Sequence, residues 1–531
     1  MHVAVAQLNL MVGALQDNAT RMLESWRAGV RAGAKVVVTP ELSLAGYAPE
    51  DLVLRRAFLS DCAQTLRHMA AAVDEGALLV GFPEYDGGQR YNAIALLRKK
   101  KVQAVYRKRV LNAEDTRYFA QGKAPLSFTE GGTRFGVALG DDLSATAIKR
   151  ALAAENNHCL LTADRRAYQM GDETGVESDF ARAAKSMKTP MIVTEPFGGQ
   201  DAKVFMGRSF AVNEKGVLVH HLPAWQEALA LIQVKKGGIT ESTVFEPMPA
   251  EYHVYQALVT ALADYVKKNK MSGVVLGLSG GIDSALCCAI AVDALGAEKV
   301  HTVQLYSPHT SALSRKLAAK MAKWMGVSQV SIALAPLMRG TESALKGAIG
   351  TELSDITTQN IQARLRALLL MGLSNQYNRL LISTGNKSES AAGYATLYGD
   401  MAGGFSLIKD LTKAWVYRLA NYRNQLSRVI PEEVITRAPT AELKPGQTDQ
   451  DTLPPYPILD QIIETYVEDG ADAASLSEYN ISADHIESVL SKLAAAEYKR
   501  RQAAPGVCIT RRAFGEDWHY PMTCRWQEFV R

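Results

Sequence analysis

The stretch Val-Val-Leu-Gly-Leu-Ser-Gly-Gly-Ile-Asp-Ser at residues 274–284 constrains this chain more than any other. An apolar, β-branched run enters a short glycine turn, and residues 285–295 continue with a helical apolar pattern. Strand, glycine turn and helix start in that order make an anion site, because the turn's N–H groups and the positive end of the helix point at the same place. Gly280 and Gly281 let the backbone approach an anion closely. Ser279 and Ser284 add hydroxyl donors, and Asp283 can hold a cation beside phosphates. A tight turn that binds nothing is the plainer alternative, and a lone Gly-Gly would suit it. Here Ser279, Gly280, Gly281, Ile282, Asp283 and Ser284 are all specified in strand–helix context, which favours phosphate.

A chain of 531 residues is too long for one ordinary domain, so two to four are expected. With 47% apolar and 21% charged residues it can build cores. A net charge of +4 over this length gives no case for nucleic acid or a membrane surface. The cysteines, Cys62, Cys159, Cys287, Cys288, Cys508 and Cys524, form no C-x-x-C or Cys/His metal spacing. That is the usage of a reduced, cytoplasmic protein. The first residues lack the basic start and apolar core of a signal peptide. No apolar run reaches the roughly 18 residues that a transmembrane helix needs.

In the first half, strands are expected at 2–8, 35–39, 78–82 and 135–139, with a hairpin over 92–97 and 102–106. A helix is expected at 18–32, where Met22, Leu23, Trp26 and Val30 share a face. The alternation runs to about residue 235 and suggests a layered α/β sandwich. The Gly, Ser, Thr and Pro punctuation of 236–250 reads as a linker. After it come a helix over 251–269, the strand of the opening stretch, and further strands at 300–306, 329–334 and 380–384. Helices at 311–325 and 358–373 separate them, which implies a parallel, doubly wound sheet with ligands beyond its carboxyl edge. Residues 337–354 and 438–456, rich in Gly, Thr and Pro, read as lid loops. Residues 471–496 read as helical, and 505–531 show no recognisable chemistry.

The opening loop resembles the pyrophosphate loop of the ATP-pyrophosphatase (adenine nucleotide α-hydrolase-like) superfamily; it lacks the Gly-Lys-Ser/Thr ending of a Walker loop. Longer blocks choose among its members. Residues 359–366, 383–389, 393–400, 437–443, 447–451 and 497–502 together resemble NAD synthetase. The resemblance implies ATP-dependent amidation of deamido-NAD through an acyl-adenylate, with AMP and pyrophosphate released. It implies that residues 279–284 and Thr384 bind ATP, and that Asp283 and Glu389 hold Mg2+. Asn360, Glu389 and Lys499 would contact deamido-NAD, and Lys413 would steady phosphate charge, so that Asp283 and Lys413 carry the catalysis. Plainer readings stand beside these: Glu389 as a helix cap, Asn360 as a helix-start residue, Lys499 as a solvated charge. Where the family has Pro-Ser-Arg before Thr310, this chain has Tyr306, Ser307 and Pro308, which leaves an arginine contact there in doubt.

Residues 1–235 resemble the nitrilase fold, an αββα sandwich, and within it the glutaminase domain of glutamine-dependent NAD synthetases. The matching stretches are 5–9, 40–47, 106–108, 117–119 and 207–210. In that family a Glu activates a Cys nucleophile and a Lys stabilises the oxyanion. Glu41 and Lys108 stand at the first two positions, but the nucleophile position is Gly140. Nearby loops also depart, at 111–116, at Arg166 to Tyr168, and at Asp172 in place of a basic residue. Cys159 and Cys62 read as packed rather than poised. The expected organisation is therefore an inactive glutaminase at 1–235, a linker at 236–250 and an NAD synthetase domain at 251–531. The expected donor is ammonia, free or from a separate supplying protein, and the resemblance implies a homo-oligomer. Two other readings stay open: a glutamine-dependent enzyme with a displaced nucleophile, and a catalytically silent scaffold.

Overall fold

The computed structural model describes residues 1–171, 175–235, 238–239, 243–444, 446–524 and 526, with only the backbone of 175 and 176. Asp172 lies outside the described residues. The chain forms two compact units, 1–200 with 204–248, and 249–531 with 201–203.

The first unit is a two-sheet sandwich. One sheet runs Gly238–Ile239, Ala228–Lys235, His2–Gln7, Ala34–Val38, Ala77–Asp86, Gln89–Arg98, Lys101–Arg107. The other runs Leu218–His221, Phe210–Val212, Met191–Thr194, Cys159–Ala163, Thr133–Leu139, Leu126–Glu130. Alternation explains the layers. Val3, Val5, Val36 and Val38 face Phe135, Val137 and Leu161 between the sheets. Ala4, Ala6, Val37 and Leu78 face outward under the helices Leu15–Arg31 and Arg56–Ala72. Ala138, Leu160 and Val193 of the second sheet lie under Thr146–Ala154 and Gly175–Met187. Gly238–Ile239, inside the stretch expected to be linker, pairs with Ala228–Lys235 as an edge strand.

The second unit is built on a parallel sheet in the order Ser328–Ala333, Val300–Tyr306, Val274–Gly277, Leu380–Ser383, Phe405–Ser406. The strand of the opening stretch is central. Chain order runs outward from it on one side and resumes on the other, so a crevice opens at its carboxyl end. The central runs Val274 to Leu276 and Leu380 to Ile382 are buried on both faces, as suits a parallel sheet, whereas the edge strand Ser328–Ala333 is largely exposed.

One stretch expected to be a loop is largely helical. Residues 337–354, expected to be a lid loop, contain the helix Ala335–Ile349. Pro336 sits in its first turn, where no amide bond is lost, and Gly350 ends it in a left-handed conformation. Gly340 and Gly347 face open space, so they mark no turn. Met338 packs with Leu334, Ile361 and Leu365.

No helix among the described residues is long and apolar enough to cross a membrane.

Candidate active sites

Loop 278–281 follows the central strand and delivers the helix Ile282–Leu295. Gly280 has φ +89°, and a Cβ there would stand 2.5 Å from the Ser314 carbonyl oxygen, so only glycine fits. Gly281 caps the helix without a side-chain bond, which leaves the first-turn N–H groups for a ligand. The two serines brace the turn. Ser279 N–H donates to Ser284 Oγ at 3.2 Å, the hydroxyls lie 3.0 Å apart, and Ser284 Oγ donates to Gly281 O at 3.0 Å.

Asp283 leaves the first turn of that helix and meets two further elements. Lys413, at the start of the helix Lys413–Leu426, donates to Asp283 Oδ2 at 2.7 Å and to Glu389 Oε1 at 3.4 Å. Asn386 Nδ2 donates to Asp283 Oδ1 at 2.9 Å. Lys413 is 1% exposed, and its neighbouring carboxylates keep it charged despite burial. Burial pushes the Glu389 carboxyl up to about 8, with Asp283 adding to the push and Lys413 opposing it. The sequence expected Asp283, Glu389 and Lys413 at one centre, and the structure brings them together.

Glu389 also closes a capping box with Asn386 on the short helix Lys387–Ala392. The plainer reading of Glu389 thus holds alongside its place beside Asp283. Asn386 was missed, although Asn followed three positions later by Glu is a sequence sign of a helix start. Thr384 follows the end of the strand Leu380–Ser383.

A cavity of about 620 Å³, counting its open mouth, is lined by Ser383, Gly385, Glu389, Asp400, Lys409 and Lys499 among others. Lys499 donates to the carbonyls of Gly393 and Ala395 at 2.8 and 2.7 Å, and burial lowers its pKa. It is not the solvated charge that its basic run suggested. Asn360 lies outside this lining and accepts from the Thr396 hydroxyl at 2.9 Å. At 306–308, where the family arginine is missing, the Arg315 guanidinium lies 4.8 Å from the centre of the Tyr306 ring.

The first unit's polar centre is built differently. Lys108 Nζ lies 3.2 Å from Glu41, 2.8 Å from Asp115 and 2.7 Å from Asp141. Arg165 enters the same cluster, pairing with Glu41 and, at 2.7 Å, with Asp115. Asn92 Nδ2 donates to Glu41 at 2.6 Å. Burial pushes the Glu41 carboxyl up against the pull of Lys108 and Arg165. Asp115 comes from the helix Ala113–Tyr118, where the sequence showed only a shortened loop.

Gly140 follows the strand Thr133–Leu139 and opens the 3-10 turn Gly140–Ser144, and a Cβ built on it would stand 2.1 Å from Asp164 Oδ1. Beside Asp164 the buried Glu195 carboxyl is held well above the usual range, chiefly by desolvation. Cys159 is buried inside its strand and Cys62 inside its helix. Desolvation pushes both thiols up, that of Cys62 to about 12. Arg165 and Asp164 went unnoticed in sequence because nothing local ties them to Glu41 or Gly140.

Residues 254–503 match the NAD synthase family, and residues 2–242 the carbon-nitrogen hydrolase family. The chain is 37% identical over 535 residues to the glutamine-dependent NAD(+) synthetase of Acinetobacter baylyi, covering 99% of this chain and 98% of that one. It is 38% identical to the protein of the same name from Rhodobacter capsulatus, covering 99% of each. A solved structure of glutamine-dependent NAD+ synthetase from Acinetobacter baumannii with adenosine diphosphate superposes with a TM-score of 0.80 at 35% identity, covering 98% of both chains. With a pyrophosphate-type loop in one unit, a nitrilase-like centre in the other and full-length kinship of this order, the chain belongs to the family of two-domain NAD synthetases that carry a carbon-nitrogen hydrolase domain.

Proposed function

We propose that this NAD synthetase amidates deamido-NAD at the expense of ATP, through an acyl-adenylate, and takes its nitrogen from ammonia rather than glutamine. The loop of Ser279, Gly280, Gly281, Ile282, Asp283 and Ser284 would hold the leaving pyrophosphate, with Thr384 beside ATP. Support for ATP comes from the adenosine diphosphate in the Acinetobacter baumannii relative. The carboxylate of deamido-NAD attacks the α-phosphorus, and negative charge builds on the phosphates. Lys413, buried and kept charged by its neighbouring carboxylates, would neutralise that charge without reorganising. Ammonia then displaces AMP from the adenylate.

Asp283 and Glu389 would hold Mg2+ jointly with the phosphates. Among the described residues there is no cluster of three or more His, Cys, Asp or Glu suited to a metal. Two carboxylates without a cage fit Mg2+, which is usually held by one or two carboxylates plus phosphate oxygens. When bound, the ion neutralises phosphate charge. Glu389 and Lys499, both on the 620 Å³ cavity, would meet deamido-NAD, as would Asn360.

The loop makes a direct prediction. Gly280→Ala adds a methyl 2.5 Å from the Ser314 carbonyl and places an L-residue at φ +89°. ATP binding, measured by calorimetry and as KM, is expected to weaken about tenfold or more, or roughly 1.4 kcal/mol.

One observation carries the choice of ammonia: at Gly140 there is no nucleophile, and the space for its Cβ is taken by Asp164. Arg165 on Glu41 supports the same reading, since a base engaged by a buried arginine is not free to activate a thiol. The name of the relatives favours glutamine as donor, and this is the second reading. Purified protein supplied with ATP, Mg2+ and deamido-NAD decides between them. Turnover with ammonium should exceed turnover with glutamine by on the order of 10³-fold or more, since loss of a nucleophile costs up to about a million-fold. Equal turnover with the two donors would overturn the ammonia reading. No turnover with either would leave the silent scaffold.

A further inference from the structure

The reading above assigns no role to Asp460, which is buried on the helix Tyr456–Ile462 behind the Asp283–Glu389–Lys413 centre. Its carboxylate accepts from the Ser388 hydroxyl and, at 2.8 Å, from the Ala414 N–H. Ser388 in turn accepts from the Lys413 N–H at 2.9 Å. Ser388 precedes Glu389 in sequence, and Ala414 follows Lys413. The helix Lys413–Leu426 has no side-chain cap of its own at Thr412. Its first N–H groups are satisfied instead from Asp460 and Ser388, which join the two elements that carry Glu389 and Lys413.

A second brace grips the same short helix one residue earlier. Lys387 is completely buried. Its Nζ lies 2.9 Å from Asp410, 2.7 Å from Glu468 and 2.6 Å from the Thr510 hydroxyl. Asp410 accepts from the N–H groups of Ile509 and Thr510 at 2.7 and 2.8 Å. The Lys387 N–H donates to Leu411 O at 2.8 Å. Neither Lys387 nor Asp460 bonds to the side chains of Asp283, Glu389 or Lys413 in these contacts, and both fix the backbone that presents Glu389.

We propose that Asp460 is a positioning residue for the amidation, setting through Ser388 the spacing between Glu389 and Lys413, and that Thr510, from a tail with no chemistry of its own, supports the same helix through Lys387. The proposal rests on the reading of Asp283 and Glu389 as the Mg2+ ligands. A buried structural residue could make the same bonds for stability alone, so the test must read the centre itself.

Asp460→Ala, assayed in the full chain with ammonium, is expected to lower kcat about tenfold or more, with a smaller rise, of roughly threefold, in KM for deamido-NAD, which Glu389 also meets. Mn2+ binding, followed by electron paramagnetic resonance with a non-hydrolysable ATP analogue, is expected to weaken by about the same tenfold. Asp460→Asn keeps one acceptor and should fall between the parent and the alanine variant. Thr510→Val removes one hydroxyl, keeps the shape, and should shift Mn2+ binding and kcat together by roughly threefold. If Asp460→Ala does not fold, the asparagine and valine variants carry the test. Folded variants with parental kcat and Mn2+ affinity would overturn the proposal. Asp283→Ala is run in parallel. If it binds Mn2+ like the parent, the metal assignment has failed, and kcat against KM in the Asp460 variants then decides positioning alone.

Discussion

Lys413→Met is expected to cut amidation about 10²–10³-fold, the usual loss when one preorganised donor to a developing charge is removed. Lys413 lies 2.7 Å from Asp283 and 3.4 Å from Glu389, out of contact with water. Methionine keeps most of the unbranched stem and removes the ammonium, with its charge and its hydrogen bonds to Asp283 and Glu389. Two carboxyls are then left together, and Glu389, already pushed up to about 8, rises further because its opposing partner is gone. Circular dichroism should show a folded protein, and steady-state kinetics should place the loss in kcat. A loss confined to KM for deamido-NAD would mean that Lys413 only binds substrate, and would reject its proposed part in the chemical step.

Lys108→Met should act on the other unit and in another quantity. Lys108 is 1% exposed and joins Glu41, Asp115 and Asp141. Removing one member of a buried ion cluster typically costs about 3–5 kcal/mol, because buried Glu41 and Asp115 lose one of their two cationic partners, Arg165 remaining. For a unit of this size that corresponds to a fall of roughly 10 °C in its melting temperature. With ammonium as donor, turnover well below that melting temperature should stay near the parent value. In a working glutaminase the same change would remove glutamine-driven turnover while sparing ammonium. Calorimetry together with the two-donor assay separates the cases, and a variant with unchanged melting would reject the buried-cluster account.

Much of this was legible in one dimension. The apolar runs at 2–8 and 35–39 announced strands, but being apolar at successive positions they did not say which residues face inward. The opening stretch announced a turn whose glycine has since shown φ +89°. Both follow from local rules, the strand preference of short β-branched runs and the φ range of glycine. The helix Ala335–Ile349 was lost because Pro336, Gly340, Thr341, Gly347 and Gly350 are breakers in isolation. Pro336 and Gly350 in fact sit at its ends, where helices favour them. Asp164, Arg165, Asp460 and Thr510 were not legible, because their partners lie far away in sequence. Arg165 lies 124 residues from Glu41, and Thr510 lies 123 from Lys387. No periodicity spans such distances, and only packing reveals them.

The late position of Thr510 has a consequence for how the protein is made. N-terminal domains generally fold first during synthesis, so the first unit can assemble while the second is still emerging. The helix bearing Glu389 cannot be completed in that way. Until Ile509 and Thr510 emerge, Asp410 lacks their N–H groups and Lys387 lacks the Thr510 hydroxyl. A chain cut short before Ile509 would therefore keep its full nucleotide loop while the helix that presents Glu389 lacks the bonds that hold it.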